Sequence, residues 1–122
     1  MKITLFSFGF KHGHPDADLV LDVRFLINPY WEPDLRDHSG LEKEVASYVL
    51  DNSSGQDFLQ HLRTFLIFYL NRHQQADRKE ISCAIGCTGG RHRSVAVTEY
   101  LAELLTGKGF SVQKYHRDIQ KD

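Results

Sequence analysis

Cysteine is too scarce in this chain to build a framework. Cys83 and Cys87 are the only two, and two thiols make neither a zinc tetrad nor a disulfide scaffold. They sit four residues apart on one short apolar segment. On a strand both point to the same face, at a spacing that disfavours a disulfide. Long apolar runs are also missing. None approaches the roughly 20 residues that cross a bilayer, and Met1–Phe6 reads as a first strand, because no cleavage-like segment follows it. Charge of one sign is absent as well: the formal net charge is −1, so bulk charge does not point to nucleic acid. Such binding would need a local patch, which the seven histidines would make sensitive to pH. There is no internal repeat, low-complexity tract or interdomain linker. His12-x-His14 supplies two metal ligands without a third, so no metal and no cofactor is expected. The remaining expectation is one cytoplasmic domain over residues 1–122, with 41% apolar and 25% charged residues, the ordinary globular mixture.

What is present is an alternation of strand and helix patterns. Residues 2–10 read as a strand that ends at Gly9. Leu19–Leu26 reads as a second strand, with Leu21, Val23 and Phe25 on one face and Asp22 and Arg24 on the other. Pro29 and Pro33 break any regular element between residues 28 and 33. Leu41–Leu50 is predicted as a short helix. Gln56–His73 is predicted as a long one, with Phe58, Leu62, Phe65, Leu66 and Tyr69 at helical spacing. Ile81–Ile85 reads as a buried strand, Arg93–Thr106 as a helix closed by Gly107 and Gly109, and Phe110–Tyr115 as a last strand neighbouring Ile81–Ile85. The order predicts an α/β fold: a single domain with a mainly parallel sheet flanked by helices and a right-handed crossover in its second half.

The chemistry concentrates in Ile85-Gly86-Cys87-Thr88-Gly89-Gly90-Arg91-His92-Arg93-Ser94. This strand–glycine loop–helix unit stands where ligands bind in open α/β sheets. Two adjacent glycines let backbone N–H groups turn inward around an anion. The helix start adds free N–H groups and the positive end of its dipole. Arg93 offers a planar fork for two phosphate oxygens, Arg91 or His92 adds charge, and the Thr88 and Ser94 hydroxyls can donate. The bland alternative is a glycine turn with solvated arginines. It fits less well, because a helix N-terminus disfavours unpaired cations. The ligand class expected is therefore a phosphate or carboxylate.

The same residues fit C-x5-R-S, which resembles the loop of cysteine-dependent phosphatases. On that reading Cys87 is the nucleophile, Arg93 holds the phosphate and Ser94 assists the departing thiolate. Gly86 stands where such enzymes usually carry histidine. Asp18, Asp22 and Asp118 are all open candidates for the general acid.

A wider match runs through Ser7-Phe8-Gly9-Phe10-Lys11-His12-Gly13, Asp16-Ala17-Asp18, Asp22-Val23-Arg24-Phe25-Leu26, Asn28-Pro29 and Trp31. It continues through Ser39-Gly40-Leu41-Glu42-Lys43, Ala84–Gly90, His92-Arg93-Ser94-Val95 and His116-Arg117-Asp118. In these landmarks the chain resembles the C-terminal domain of the RNase-adapter RapZ family. The resemblance implies a bacterial regulatory binding module that senses an amino-sugar phosphate, glucosamine-6-phosphate, and binds small regulatory RNA. It implies that Lys11, Thr88, Gly89, Gly90, His92 and Arg93 line the ligand site. Cys87 would lie at its base, and Arg24 would be a further contact oriented by Asp22. Two departures stand out. The sequence has no G-x-x-x-x-G-K-[ST] run, so it reads as a stand-alone copy of this domain without the family's P-loop nucleotide-binding unit, either an excised piece or a natural single-domain relative. Tyr30 occupies a ligand-site position that some members fill with histidine, keeping a hydroxyl but no titratable charge.

Lys11 reads as a phosphate clamp and His14 as a solvated turn residue. Tyr30 and Trp31 are expected as surface contacts, whereas Phe8 and Phe10 are expected in the core. His116 and Arg117 are expected as weak RNA contacts or as neighbours of the glycine loop. So modest a patch predicts weak RNA binding by a monomer, which assembly into a homo-oligomer would multiply.

Overall fold

The computed structural model describes residues 1–121. Its elements are β1 (Lys2–Gly9), β2 (Leu19–Asp22), α1 (Lys43–Leu50), α2 (Ser53–Gln75), β3 (Glu80–Cys87), α3 (Arg93–Gly107) and β4 (Ser111–His116), with single 3-10 turns at Phe10–His12 and Pro29–Trp31. The four strands form one sheet in the order β2-β3-β1-β4, and every pairing is parallel. The α/β architecture expected from the strand–helix alternation is the one observed.

Burial explains the order. β1 and β3 are the most buried strands, each over most of its length, and each pairs on both edges. β4 carries Ser111, Gln113 and Lys114 and is largely exposed, so it belongs at an edge. It pairs with β1, from Lys2↔Ser111 to Ser7↔His116. This corrects the expectation that the last strand neighbours Ile81–Ile85, because β1 lies between them.

One face of the sheet, formed by Ile3 and Leu5 of β1 and by Ile81, Cys83, Ile85 and Cys87 of β3, packs into a single cluster with Val49 of α1, Leu62, Leu66 and Leu70 of α2, and Leu101 and Leu105 of α3. All three helices contribute to that cluster. The opposite face presents Phe6, Phe8 and Ala84, closed by Phe10, Ala17 and Val20, with Tyr115 stacked on Phe6 at 4.8 Å between ring centres. Parallel sheets need both faces covered, and here the loop after β1 does for one face what helices do for the other. Cys83 is an inert part of the core: burial, and then the charge of Asp18, push its thiol up to about 12.

Three of the boundaries that differ from the sequence reading have a local reason. β2 stops at Asp22, because its carboxylate accepts the Arg24 N–H at 2.9 Å and closes a turn. Val23 stays buried, but Phe25 swings outward, 63% exposed, with its ring edge-on to Phe58 at 5.0 Å. α2 begins three residues before Gln56, because the Asn52 side chain caps it by accepting the Gly55 N–H at 2.8 Å. β3 runs on to Cys87, so that this thiol sits at a strand end.

Candidate functional site

All strands run parallel, so the carboxyl ends of β1, β2 and β3 meet at one edge of the sheet, where the site was expected. There the chain leaves β3 at Cys87, turns through Thr88–His92 and enters α3 at Arg93. The turn lies against the end of β1. Gly90 has φ +80°, and a Cβ on it would fall 2.6 Å from the Gly9 nitrogen. A Cβ on Gly9 would fall 2.4 Å from the Gly89 carbonyl carbon. The two backbones touch, and only glycine permits that approach. The Lys11 N–H donates to the Thr88 carbonyl at 3.2 Å, which sets the Lys11 side chain over Gly89.

A cleft of about 710 Å³ opens above this turn. Of the residues singled out in the sequence, Lys11, Tyr30, Cys87, Thr88, Gly89, His92 and Arg93 line it. Trp31, expected as a surface contact, stands on its rim and is 72% exposed. Asn28, Arg36 and Asp37 also line it; in the sequence Asn28 stands out only as a family landmark, and Arg36 and Asp37 not at all. The available signal was the absence of any regular pattern between residues 27 and 38, which marks a long loop beside the strand ends.

Arg93 is 5% exposed. Its Nη1 donates to the carbonyls of Arg24 and, at 3.2 Å, Leu26. Its Nε is buried and has no acceptor among the described residues. A buried charged donor without a partner is costly, and this one belongs to a residue of the cleft wall.

His92 plays a different part from the charged contact expected of it. Its Nε2 lies 3.0 Å from the Arg36 carbonyl. Burial, reinforced by the charges of Arg91 and Arg93, pushes its pKa below 6.5 against the pull of the Arg36 and His38 main chain. At neutral pH it is an uncharged tether that donates a hydrogen bond and holds residues 36–38 across the cleft.

Arg24, Gly90 and Ser94 do not reach the cleft wall. The Arg24 guanidinium forms two bonds to Asp22, at 3.0 and 2.7 Å, and lies over the Phe10 ring at 4.0 Å. Its contribution to the site is the carbonyl that holds Arg93. Gly90 is buried against β1. Ser94 is fully buried, and its Oγ accepts from the Cys87 Sγ at 3.1 Å.

The two RNA candidates at the end of β4 are engaged elsewhere. His116 is held between the Ser7 Oγ at 2.7 Å and the Glu99 carboxylate at 2.8 Å. Arg117 binds Asp118 at 2.8 Å and the Gly13 carbonyl at 2.7 Å. Asp118 itself is fully buried. Burial alone would raise its pKa, yet Arg117, the Gly9 N–H and Lys121 hold it well below the usual carboxylate range. Asp18 is lowered by the Ser82 backbone and Arg78, and Asp22 by Arg24. All three candidate general acids are therefore ionised at neutral pH. Among the described residues no group of three or more His, Cys, Asp or Glu is arranged to hold a metal ion.

Fold and cleft together define a small parallel α/β domain with a cationic strand–glycine loop–helix site. The chain belongs to the RapZ C-terminal domain family, whose profile matches residues 1–120. Among curated proteins it is 50% identical over 122 residues to a nucleotide-binding protein of Corynebacterium aurimucosum, covering 98% of this chain and 42% of that one. It is 49% identical over 121 residues to a nucleotide-binding protein of Lawsonia intracellularis, covering 98% of this chain and 38% of the relative. A nucleotide-binding protein of Anaeromyxobacter sp. (strain K) is 48% identical over 123 residues, all of this chain and 42% of its own. The chain thus spans about two fifths of the length of these relatives.

Proposed function

We infer that the domain is a regulatory binding module whose cleft senses a phosphorylated amino sugar of the glucosamine-6-phosphate kind. The observation that carries this reading is the position of the Arg93 charge, held nearly buried on a cleft wall shared with Lys11, Thr88 and Gly89. A phosphate there would be drawn by the charges of Arg93 and Lys11 and meet the N–H groups at the start of α3. The volume of the cleft leaves room beyond the phosphate for a sugar ring against Tyr30 and Trp31. Small regulatory RNA is a second ligand on this reading. Its contacts at His116 and Arg117 would be weak, since both side chains already serve Glu99 and Asp118. A cytoplasmic setting fits, and no described helix is long and apolar enough to cross a membrane. Calorimetric titration with glucosamine 6-phosphate, inorganic phosphate and glucosamine tests the proposal. The sugar phosphate should bind well above phosphate alone, and Arg93→Ala should abolish binding. Equal affinity for phosphate would reduce the cleft to a general anion site.

The Cys87–Ser94 contact favours a second reading, a cysteine-dependent phosphatase. The ionised state of Asp18, Asp22 and Asp118 weighs against it, because a general acid must carry a proton. Release of phosphate from an aryl phosphate that disappears in Cys87→Ser would establish turnover. Unchanged sugar-phosphate affinity in that variant, with no turnover in either protein, would support the binding module.

A further inference from the structure

Asp37 is the one carboxylate among the described residues that line the cleft, where Lys11, Arg36, Arg91 and Arg93 supply cations. Three of these cations, Arg36, Arg91 and Arg93, already donate to main-chain carbonyls. Arg36 Nε donates to the Tyr30 carbonyl at 2.7 Å, and its guanidinium lies 4.9 Å from the centre of the Tyr30 ring. Arg91 donates to main-chain carbonyls, that of Ile119 at 3.2 Å and that of Asp37 at 3.4 Å. Arg93 is anchored on the carbonyls of Arg24 and Leu26. Among the described residues the Asp37 carboxylate has neither an ion pair nor a side-chain hydrogen bond, although its neighbours Arg36 and His38 each have a partner. The His92 tether fixes the backbone on both sides of it. An unpaired carboxylate in a cationic cleft repels a simple anion. It strengthens binding only when the ligand carries a positive group as well.

We propose that Asp37 is the specificity-determining residue of the cleft, selecting phosphorylated ligands that also carry an ammonium group over their neutral-sugar counterparts. This rests on the reading of the cleft as a phosphosugar site and adds the group that reads the amine. The phosphate is held at the Gly89–Arg93 side, and Asp37 on the loop across the cleft accepts a hydrogen bond from the ammonium. A neutral hydroxyl at the same place would leave the carboxylate without a counter-charge.

The experiment is a calorimetric comparison of glucosamine 6-phosphate, glucose 6-phosphate and inorganic phosphate on the wild-type chain, Asp37→Asn and Asp37→Glu. Asp37 is exposed, so melting curves of the variants should overlay that of the wild type. The wild type should prefer the amino sugar by about tenfold or more, the size of one charge-assisted hydrogen bond. Asp37→Asn should bring the two sugar phosphates to equal affinity, and Asp37→Glu should keep part of the preference. If Asp37→Asn tightens all three anions equally and leaves their ratios unchanged, Asp37 only offsets charge and the assignment falls. If the wild type binds neither sugar phosphate better than phosphate, the phosphosugar reading falls and takes this inference with it.

Discussion

The buried carboxylate of Asp118 accepts the backbone N–H of Gly9 at 2.8 Å, joining the two ends of the chain beside the glycine loop. The same group binds Arg117 at 2.8 Å and Lys121 at 2.7 Å, while Arg117 reaches on to the Gly13 carbonyl. One side chain thus holds the strand end against which Gly89 and Gly90 rest. Asp118→Ala should destabilise the fold by about 2–4 kcal/mol, since it leaves a buried N–H and a partly buried arginine without their acceptor. Anion affinity should fall with it. Chemical denaturation measures the first effect and calorimetry the second.

Gly90→Ala should be as damaging without touching any charge. Its φ of +80° and a Cβ 2.6 Å from the Gly9 nitrogen oppose any side chain. Strain and overpacking together should amount to about 2–4 kcal/mol. Gly107→Ala, where a Cβ meets nothing within 4 Å, should leave the melting temperature nearly unchanged.

Acid should weaken the fold in two stages. His92 is held neutral, with its pKa below 6.5 in the folded chain, so the unfolded chain takes up its proton first. Stability therefore falls as pH drops below about 6.5, until the folded imidazole protonates too. Asp118 shifts the opposite way in charge but has the same consequence. Its folded pKa lies below the ordinary 3.8, so the stability it gives is complete above that value and declines as pH falls beneath it. Melting temperatures followed from pH 8 to pH 3 should show both declines, and His92→Gln should remove the first.

Arg93→Lys should lose most of the anion affinity that Arg93 provides. A lysine that bonds the Arg24 and Leu26 carbonyls gathers its charge on one nitrogen there, whereas the guanidinium spreads it over three along the cleft wall. Titration with inorganic phosphate measures the loss, and near wild-type affinity would show that charge alone suffices.

Much of this molecule is legible in its sequence because the signals are local. Apolar patterning marks β1 and β3, helical spacing marks α2 and α3, and the Cys87–Ser94 run stands out by its glycines and arginines. The misreadings share one cause. Phe25 follows the alternation of Leu21 and Val23, but the Asp22 side chain ends the strand, and alternation has no meaning past its last ladder bond. His92 looks like a charge for the ligand until its ring is found against the Arg36 carbonyl. Arg36 and Asp37 carry no motif, and they become cleft residues only because the loop from 27 to 38 folds over the strand ends.

By itself, then, the sequence determined the strand and helix segments, the parallel α/β class and the position of the cationic glycine turn, because periodicity, proline and glycine act over a few residues. The tertiary structure alone decided that β1 separates β3 from β4, that Asp118 closes the turn from the far end of the chain, and that Arg93 keeps one donor unpartnered while His92 gives up its charge. Those outcomes depend on which distant carbonyls and carboxylates come within hydrogen-bonding reach once water is excluded, and no stretch of neighbouring residues records that.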